Sequence, residues 1–387
     1  MQLDRTRVLQ SAAPAAVRKA ELLSAGVDVS AEFLRRYGPP FLEKRRAYGN
    51  PDPDSVRHLT LPQELILEPD GLVVSVNIRP RSPHKLDWDG GFCIRGESGR
   101  IPITFPLRPQ FYDYKTPDDL RLSRVITLYG GGALGIFIYG NCALVDMGKA
   151  CQYCSIAPNR SHDVDFEKVI RPERIEETVF LALKDEAAPI SQVMLNGGNF
   201  PDPDRSFLYY VEAARAARRA IDRSGRSVDL HLIVFPPRDL ELLGELKGTG
   251  ACVAMNSEVF DPELFARFCP GKEQVAGQGH MAAALRRGAE ILGEGAVYSI
   301  IVGGLDDLAT LSTGMQRLAG WGVTPVINVF HADPGTPMEQ HPIPSAGSIL
   351  EMGRALQEVF QANPRMRPFY LDCGRNSLDT EAYRGLF

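Results

Sequence analysis

Residues 140–156 read GNCALVDMGKACQYCSI. Three cysteines, Cys142, Cys151 and Cys154, fall within thirteen positions in the spacing C-x8-C-x2-C. A closed structural metal site normally takes four protein ligands, so three thiols on one short stretch leave a place unfilled. Their neighbours decide the fold. Upstream, GALGIFIYGNC (132–142) is an apolar strand that runs into the first cysteine. Downstream, RPERIEETVFLALKDEA (171–187) reads as a helix: Pro172 suits its first turn, and Ile175, Val179, Phe180 and Leu183 share one face.

Working outward, the same alternation repeats. Strand SQVMLNGG (191–198) precedes helix FLYYVEAARAARRAID (207–222). Strand VDLHLIVFPP (228–237) precedes helix RDLELLGELK (238–247), and strand GACVAMNSE (250–258) precedes helix HMAAALRRGAEIL (280–292). Strand AVYSIIVGG (296–304), helix ATLSTGMQRLAGW (309–321) and strand TPVINVFHA (324–332) follow. Apolar strands alternating with amphipathic helices predict a parallel sheet with right-handed crossovers. Six such units fit a doubly wound sheet or an incomplete barrel, and in both the ligands gather at the carboxyl ends of the strands.

The flanks differ in texture. The first 60 residues or so read as helical and charged, punctuated by GPP (38–40) and NPDPD (50–54). ELILEPDGLVVSVNIR (64–79) reads as two strands around a Pro-Asp-Gly turn, and GFCIRGESGRIPITFPL (91–107) as a second pair. The expected division is a small α+β domain over 1–124, the repeat series over 125–340 and a helical extension over 341–387 that caps the barrel. In the extension, Ser345 is the expected N-cap of SAGSILEMGRALQEVFQANP (345–364).

With 387 residues, 44% hydrophobic and 24% charged, the chain has the composition of a globular protein large enough for two domains. Its net charge of −5 argues against a nucleic-acid partner. The seven cysteines form no disulfide framework: Cys93, Cys252, Cys269 and Cys373 are scattered, and Cys252 in ACVAM is expected in the core. MQLDRTRVLQ has no apolar leader and nowhere do 18 apolar residues run together. The expected setting is cytoplasmic and reduced, with no membrane partner.

Unusual residues recur at the strand ends. Asn196-Gly197-Gly198-Asn199 follows the second strand, Asn256-Ser257-Glu258 the fourth, and Val302-Gly303-Gly304 the fifth; His331, Asp333 and Gly335 follow the sixth. Each motif has an ordinary reading. The glycine pairs serve equally as strand-to-helix turns, and Glu258 as a solvated loop carboxylate. Tyr153 serves as packing, His331 as a surface histidine and Cys373 as a small buried residue. The three clustered cysteines with His162 also match a Cys3His zinc site, which would suit a zinc-stabilised hydrolase or binding protein.

Three thiolates without a fourth protein ligand suit a [4Fe–4S] cluster with one open iron. On these residues the region 125–340 resembles the core of radical S-adenosylmethionine (SAM) enzymes, in particular the biotin synthase and lipoyl synthase branch. The resemblance implies an α/β fold, an incomplete (β/α)6 TIM-type barrel with a small N-terminal α+β domain. It implies one [4Fe–4S] cluster on Cys142, Cys151 and Cys154, with SAM on the open iron. Reductive cleavage of SAM there gives a 5′-deoxyadenosyl radical that abstracts hydrogen from a substrate. An electron donor such as flavodoxin or ferredoxin is implied too.

Residue by residue, CQYC resembles the family's C-x-φ-C, with Tyr153 near adenine. LNGGN resembles the glycine pair that meets the methionyl amino group, which implies roles for Gly197, Gly198 and Asn199. MNSE is similar to the segment that binds SAM's carboxylate or ribose, which implies Asn256 and Glu258. YSIIVGG resembles the strand beside adenine, which implies Val302 and Gly303. His331, at a strand end, is a candidate for substrate contact or proton transfer, and Cys373 a candidate hydrogen-atom donor. Two departures stand out: the family's usual first gap is three residues, not eight, and Asn199 stands where Glu is usual. They leave open a non-catalytic SAM-binding barrel. The substrate expected is a small molecule, and no second cluster motif is present.

Overall fold

The computed structural model describes residues 12–38, 41, 62–96, 99–161 and 168–387. The sequence features at 1–11, most of GPP and all of NPDPD lie outside the described residues, as does His162. The N-terminal part opens with α1 (Pro14–Ala25), β1 (Asp28–Val29) and α2 (Ala31–Arg36). Then come β2 (Glu64–Leu67), β3 (Leu72–Ser75), β4 (Lys85–Trp88), β5 (Phe92–Gly96) and β6 (Gly99–Thr104). They form a six-stranded sheet in the order β1-β4-β5-β6-β2-β3. Both expected strand pairs are antiparallel hairpins, β2 with β3 and β5 with β6.

A second sheet holds seven strands in simple sequence order: β7 (Ile126–Tyr129), β8 (Ala133–Tyr139), β9 (Gln192–Gly197), β10 (Asp229–Ile233), β11 (Ala251–Ala254), β12 (Val297–Gly303) and β13 (Thr324–Val329). β7 pairs antiparallel with β8; the other five pairings are parallel. The crossovers carry α3 (Ala143–Asp146), α4 (Ile156–Ser161), α5 (Pro172–Ala182), α6 (Pro203–Ser224), α7 (Pro262–Phe268), α8 (Pro270–Val275), α9 (Gly277–Leu292) and α10 (Leu308–Gly320). The segment RDLELLGELK differs from the expected α-helix. It is a 3-10 helix, Leu240–Leu246, begun by Asp239, whose side chain accepts from the Glu241 amide. Gly244 in its middle lowers its helical propensity.

Strand alternation explains why the sheet curls around an interior. Leu134, Ile136 and Ile138 of β8, Val193 and Leu195 of β9, Leu230 and Leu232 of β10 and Val253 of β11 all enter the large core shared with the helices. Their alternates, Ala133, Met194, Ala254, Tyr298, Ile300 and Val326, form a separate inner cluster with Tyr129, Phe369 and Cys373. A period of two with apolar residues on both faces requires that both faces be covered. Helices cover the outside, and the C-terminal segment around Phe369 enters the inside. Cys252 faces this inner cluster and is only partly buried, so the expectation of a full core position is corrected.

After β13 come α11 (Ala346–Ala362), with the expected Ser345 cap accepting from the Ser348 amide, and α12 (Asp379–Tyr383). No helix among the described residues is long and apolar enough to cross a membrane.

His231 sits on the inner face of β10, only 2% exposed, with its ring centroid 4.5 Å from Phe369 and Nδ1 without a partner. Burial lowers its pKa from 6.5 to about 4. A depressed histidine pKa stabilises the fold above pH 6.5, and that stability is lost as pH falls from 6.5 through about 4. At ~1.4 kcal/mol per pH unit the loss is about 3 kcal/mol. Urea denaturation at pH 7 and pH 4 is expected to show it, and His231→Leu to reduce the difference by that amount.

Candidate functional site

The cysteine loop leaves β8 at Tyr139 and folds at once. Cys142 precedes α3, a turn follows with Gly148 at φ +68°, and the chain returns to Cys151 and Cys154. The eight residues between the first two cysteines are thus taken up by a short helix and a turn, and all three cysteines line one cavity. Backbone hydrogen bonds pin the loop. Ala143 N donates to Asn199 O at 2.7 Å, Gln152 N to Phe268 O at 2.8 Å and Gly271 N to Lys149 O at 3.1 Å. Gly198 has to be glycine for this docking, because a Cβ there would meet Asn141 O at 1.8 Å and Cys142 Cβ at 2.6 Å. Asn199 N donates to Cys142 Sγ at 3.5 Å.

The cavity is about 380 Å³ and opens at the carboxyl ends of the parallel strands. Besides the cysteines it is lined by Tyr153, Gly197, Gly198, Asn199, Asn256, Glu258, Val302 and His331, which are all candidates from sequence. Gly303 is not among its lining residues. Its α-carbon faces Ile327 and Met352, where a Cβ would lie 2.5 Å from Ile327 Cγ2 and 3.2 Å from Met352 Sδ. Cys373, 1% exposed, lines an adjoining cavity of about 170 Å³ with Tyr129, Met194 and Arg375. Phe137, Asn196, Asn328, His331, Tyr370 and Asn376 line both spaces. His331 is held there by Asp333, with Nδ1 to Oδ1 at 2.7 Å.

Several of these groups were not singled out by sequence. Lys272 of α8 reaches the wall and pairs with the buried Glu258 carboxylate. Glu258 stands at φ +64°, a left-handed conformation that costs a side chain like Glu of order 1 kcal/mol or more. Cys269 does not stand alone. Its sulfur is 3.3 Å from the Tyr153 hydroxyl, and it packs in one apolar cluster with Cys151 and Tyr153. The signal was present as FCPGK (268–272), but nothing in a sequence says that a Cys and a Lys so far downstream fold back onto the loop.

The electrostatics follow. The hydrogen bond from Cys269 lowers the Cys151 pKa against the opposing effect of burial, and the Lys272 ammonium helps. Burial and then the nearby Cys151 push the Cys154 thiol up to about 12. Burial alone would lower the Lys272 pKa, but Glu258, Cys151 and Cys269 outweigh it and raise it. Burial, then Glu258, raises Tyr153 well above the usual phenol. Asn196 and Asn256, at the ends of β9 and β11, each carry a buried side-chain oxygen with no hydrogen-bond partner, as does Asn328 on β13. Buried polar atoms without partners cost free energy and mark where a ligand's donors belong.

Three soft sulfur donors beside unpartnered amide oxygens fit an iron–sulfur cluster that shares its cavity with a polar organic ligand.

Particular relatives are distant. No family model matches the chain. A curated relative is bacteriochlorophyllide c C-7(1)-hydroxylase of Chlorobaculum limnaeum, 24% identical in an alignment that covers 57% of this chain and 58% of that protein. The chain thus spans less than two thirds of that relative. Among solved structures, HydG, a maturase of the [FeFe]-hydrogenase, aligns with a TM-score of 0.46 at 15% identity, over 61% of this chain and 50% of HydG. A radical SAM methyltransferase from Sphaerobacter thermophilus aligns with a TM-score of 0.44 at 13% identity, over 78% of this chain and 76% of that one.

Proposed function

We propose that this chain is a radical SAM enzyme that acts on a small molecule. The observation that carries the reading is the convergence of Cys142, Cys151 and Cys154 on one cavity whose wall holds the unpartnered Asn196 and Asn256 oxygens. In this reading the parallel strands and their helices are the incomplete (β/α)6 barrel over 125–340, residues 1–124 are an accessory α+β domain and 341–387 a cap.

The three cysteines would hold a [4Fe–4S] cluster, and Gly197, Gly198, Asn199, Asn256, Glu258, Lys272 and Val302 would face SAM, with Gly303 supporting its strand. The chemistry supplied when both are bound is one-electron cleavage of SAM to methionine and a 5′-deoxyadenosyl radical, which takes hydrogen from the substrate. This chain's own residues do the rest. The Asn256 amide oxygen accepts from ribose hydroxyls or the amino group, and the Tyr153 ring packs at the adenine. Phe137, Ile233, Phe235 and Phe330 exclude water from the cavity.

The adjoining space is the substrate chamber in this reading. Asn328 Nδ2 donates to the Tyr370 hydroxyl at 3.2 Å and Asn376 Nδ2 to Val329 O at 3.1 Å, so these amide donors are already used. Asn196 and Asn328 line both spaces and each carries a buried oxygen without a partner, which favours a substrate that brings hydroxyl or amine hydrogens. His331, oriented by Asp333, stands where it would move a proton on the substrate, and Cys373 where it would return a hydrogen atom. A flavodoxin or ferredoxin of the cytoplasm is the proposed electron donor.

The test is anaerobic reconstitution with iron and sulfide, then dithionite and SAM, with 5′-deoxyadenosine as the readout. Product from the unaltered protein and at least a hundredfold less from Cys151→Ala is the expected result. A colourless protein that holds zinc and no iron would overturn the reading.

A further inference from the structure

The segment after α11 carries a charged group that the radical chemistry does not use. In YLDCGRN (370–376), Leu371, Gly374 and Arg375 stand at φ +39°, +53° and +62°. Side chains adopt such left-handed conformations only where their surroundings hold them. Here the turn is tied to β13, because Asn376 O accepts from Val329 N at 2.9 Å and Leu378 N donates to Ile327 O at 3.0 Å. On its other side it lies against β3, so close that a Cβ on Gly374 would meet Val73 O at 3.0 Å. Held in this way, Arg375 lines the cavity of about 170 Å³ that the radical SAM reading makes the substrate chamber.

Two contacts fix the guanidinium. Its Nε lies 2.9 Å from Glu64 Oε1, and its Cζ lies 4.9 Å from the centre of the Tyr129 ring, which lines the same cavity. The Glu64 side chain is 1% exposed and the Arg375 side chain 19%, so the carboxylate is out of water while the guanidinium keeps an open side. No Asp or Glu is among the described residues that line this cavity, and Arg375 is the one with a permanent charge. A guanidinium presents five N–H donors in a planar fork, more than a single carboxylate takes from it. We propose that Arg375 is a specificity-determining residue that receives a carboxylate of the substrate, and that the substrate is a small hydroxy or amino acid. Glu64 offsets part of the charge, so recognition rests on two directed hydrogen bonds, which a carboxylate accepts and a carboxamide does not. The hydroxyl or amine supplies hydrogens for the unpartnered oxygens of Asn196 and Asn328. Glu64 belongs to β2, so the N-terminal sheet takes part in choosing the substrate by positioning Arg375. The proposal rests on the radical SAM reading above.

The test uses the full chain, anaerobically reconstituted with iron and sulfide, and reads the binding of acetate, lactate and alanine by saturation-transfer NMR, beside lactamide and inorganic phosphate. Lactate and alanine are expected to bind, and lactamide to bind about tenfold more weakly than lactate. Arg375→Gln is expected to weaken lactate and alanine by about tenfold and to leave lactamide where it was. Should Arg375→Gln not fold, Arg375→Gln with Glu64→Gln, which buries no unpaired carboxylate, decides in its place. Lactate and lactamide bound alike, acids bound alike by the unaltered protein and the variant, or no binding of any acid would overturn the proposal. Phosphate bound more tightly than every acid would overturn the carboxylate assignment. If the unaltered protein makes 5′-deoxyadenosine while the acids are indifferent to Arg375, this inference falls and the radical SAM reading stands. If it holds no cluster, that reading falls and takes the substrate role of the site with it.

Discussion

Lys272→Met is expected to destabilise the protein by about 3–5 kcal/mol, the cost of leaving one member of a buried ion pair without the other. The Lys272 and Glu258 side chains are only 12% and 7% exposed, at the wall of the cysteine cavity. Glu258 is held at φ +64° by backbone hydrogen bonds, its amide to Ile300 O at 3.1 Å and its carbonyl from Val302 N at 2.7 Å, so its carboxylate cannot swing out to water. Without the ammonium, a carboxylate would be buried beside Cys151 and Cys154, both of which sense its charge. Adding Glu258→Gln to Lys272→Met is expected to recover most of the loss, because the unpaired charge goes with it. Urea denaturation of the two single variants and the double variant at pH 7 measures both. Equal losses in Lys272→Met and the double variant would mean that packing, not charge, holds the wall.

Glu381→Ala is expected to cost a similar amount, about 3–5 kcal/mol, far from the cavity. Lys19 of α1 and Glu381 of α12 are each 1% exposed and meet at 2.7 Å, tying the first described helix to the last. One carboxylate oxygen, Oε2, has no partner, and burial raises the Glu381 pKa despite the attraction of Lys19. A raised carboxyl pKa means stability fully present below the ordinary value of 4.5 and lost as pH rises through the folded value. Burial of the carboxylate thus opposes the attraction of the pair. Removing one partner strands the Lys19 ammonium, whereas Lys19→Met with Glu381→Leu is expected to be neutral or stabilising. Urea midpoints of the single and double variants separate these outcomes.

Much of the architecture was legible because burial repeats with a period. The strands from Ala133 to Val329 and the helices between them follow from alternation and amphipathic spacing, and both N-terminal hairpins follow from their turn residues. Leu240–Leu246 departs from the expected α-helix because its apolar spacing is helical while Gly244 weakens the α form, and spacing alone does not separate α from 3-10 geometry. The cysteines, Tyr153 and the strand-end residues from Gly197 to His331 were legible as a group because position at a strand end is itself a signal. Gly303 shows the limit: a glycine freed for a ligand and a glycine freed for Met352 look alike in a string.

By itself, then, the sequence determined the alternating fold, the loop that carries three thiols and the end of the sheet at which they stand, since each depends on neighbours within a few residues. Only the tertiary structure decided what surrounds those thiols. Lys272 on Glu258, Cys269 on Tyr153, and Asn196 and Asn328 on the wall of one cavity are contacts between distant segments. They are set by how the helices after β11 and the segment after α11 pack back across the open face, and no local pattern encodes a contact made at that range.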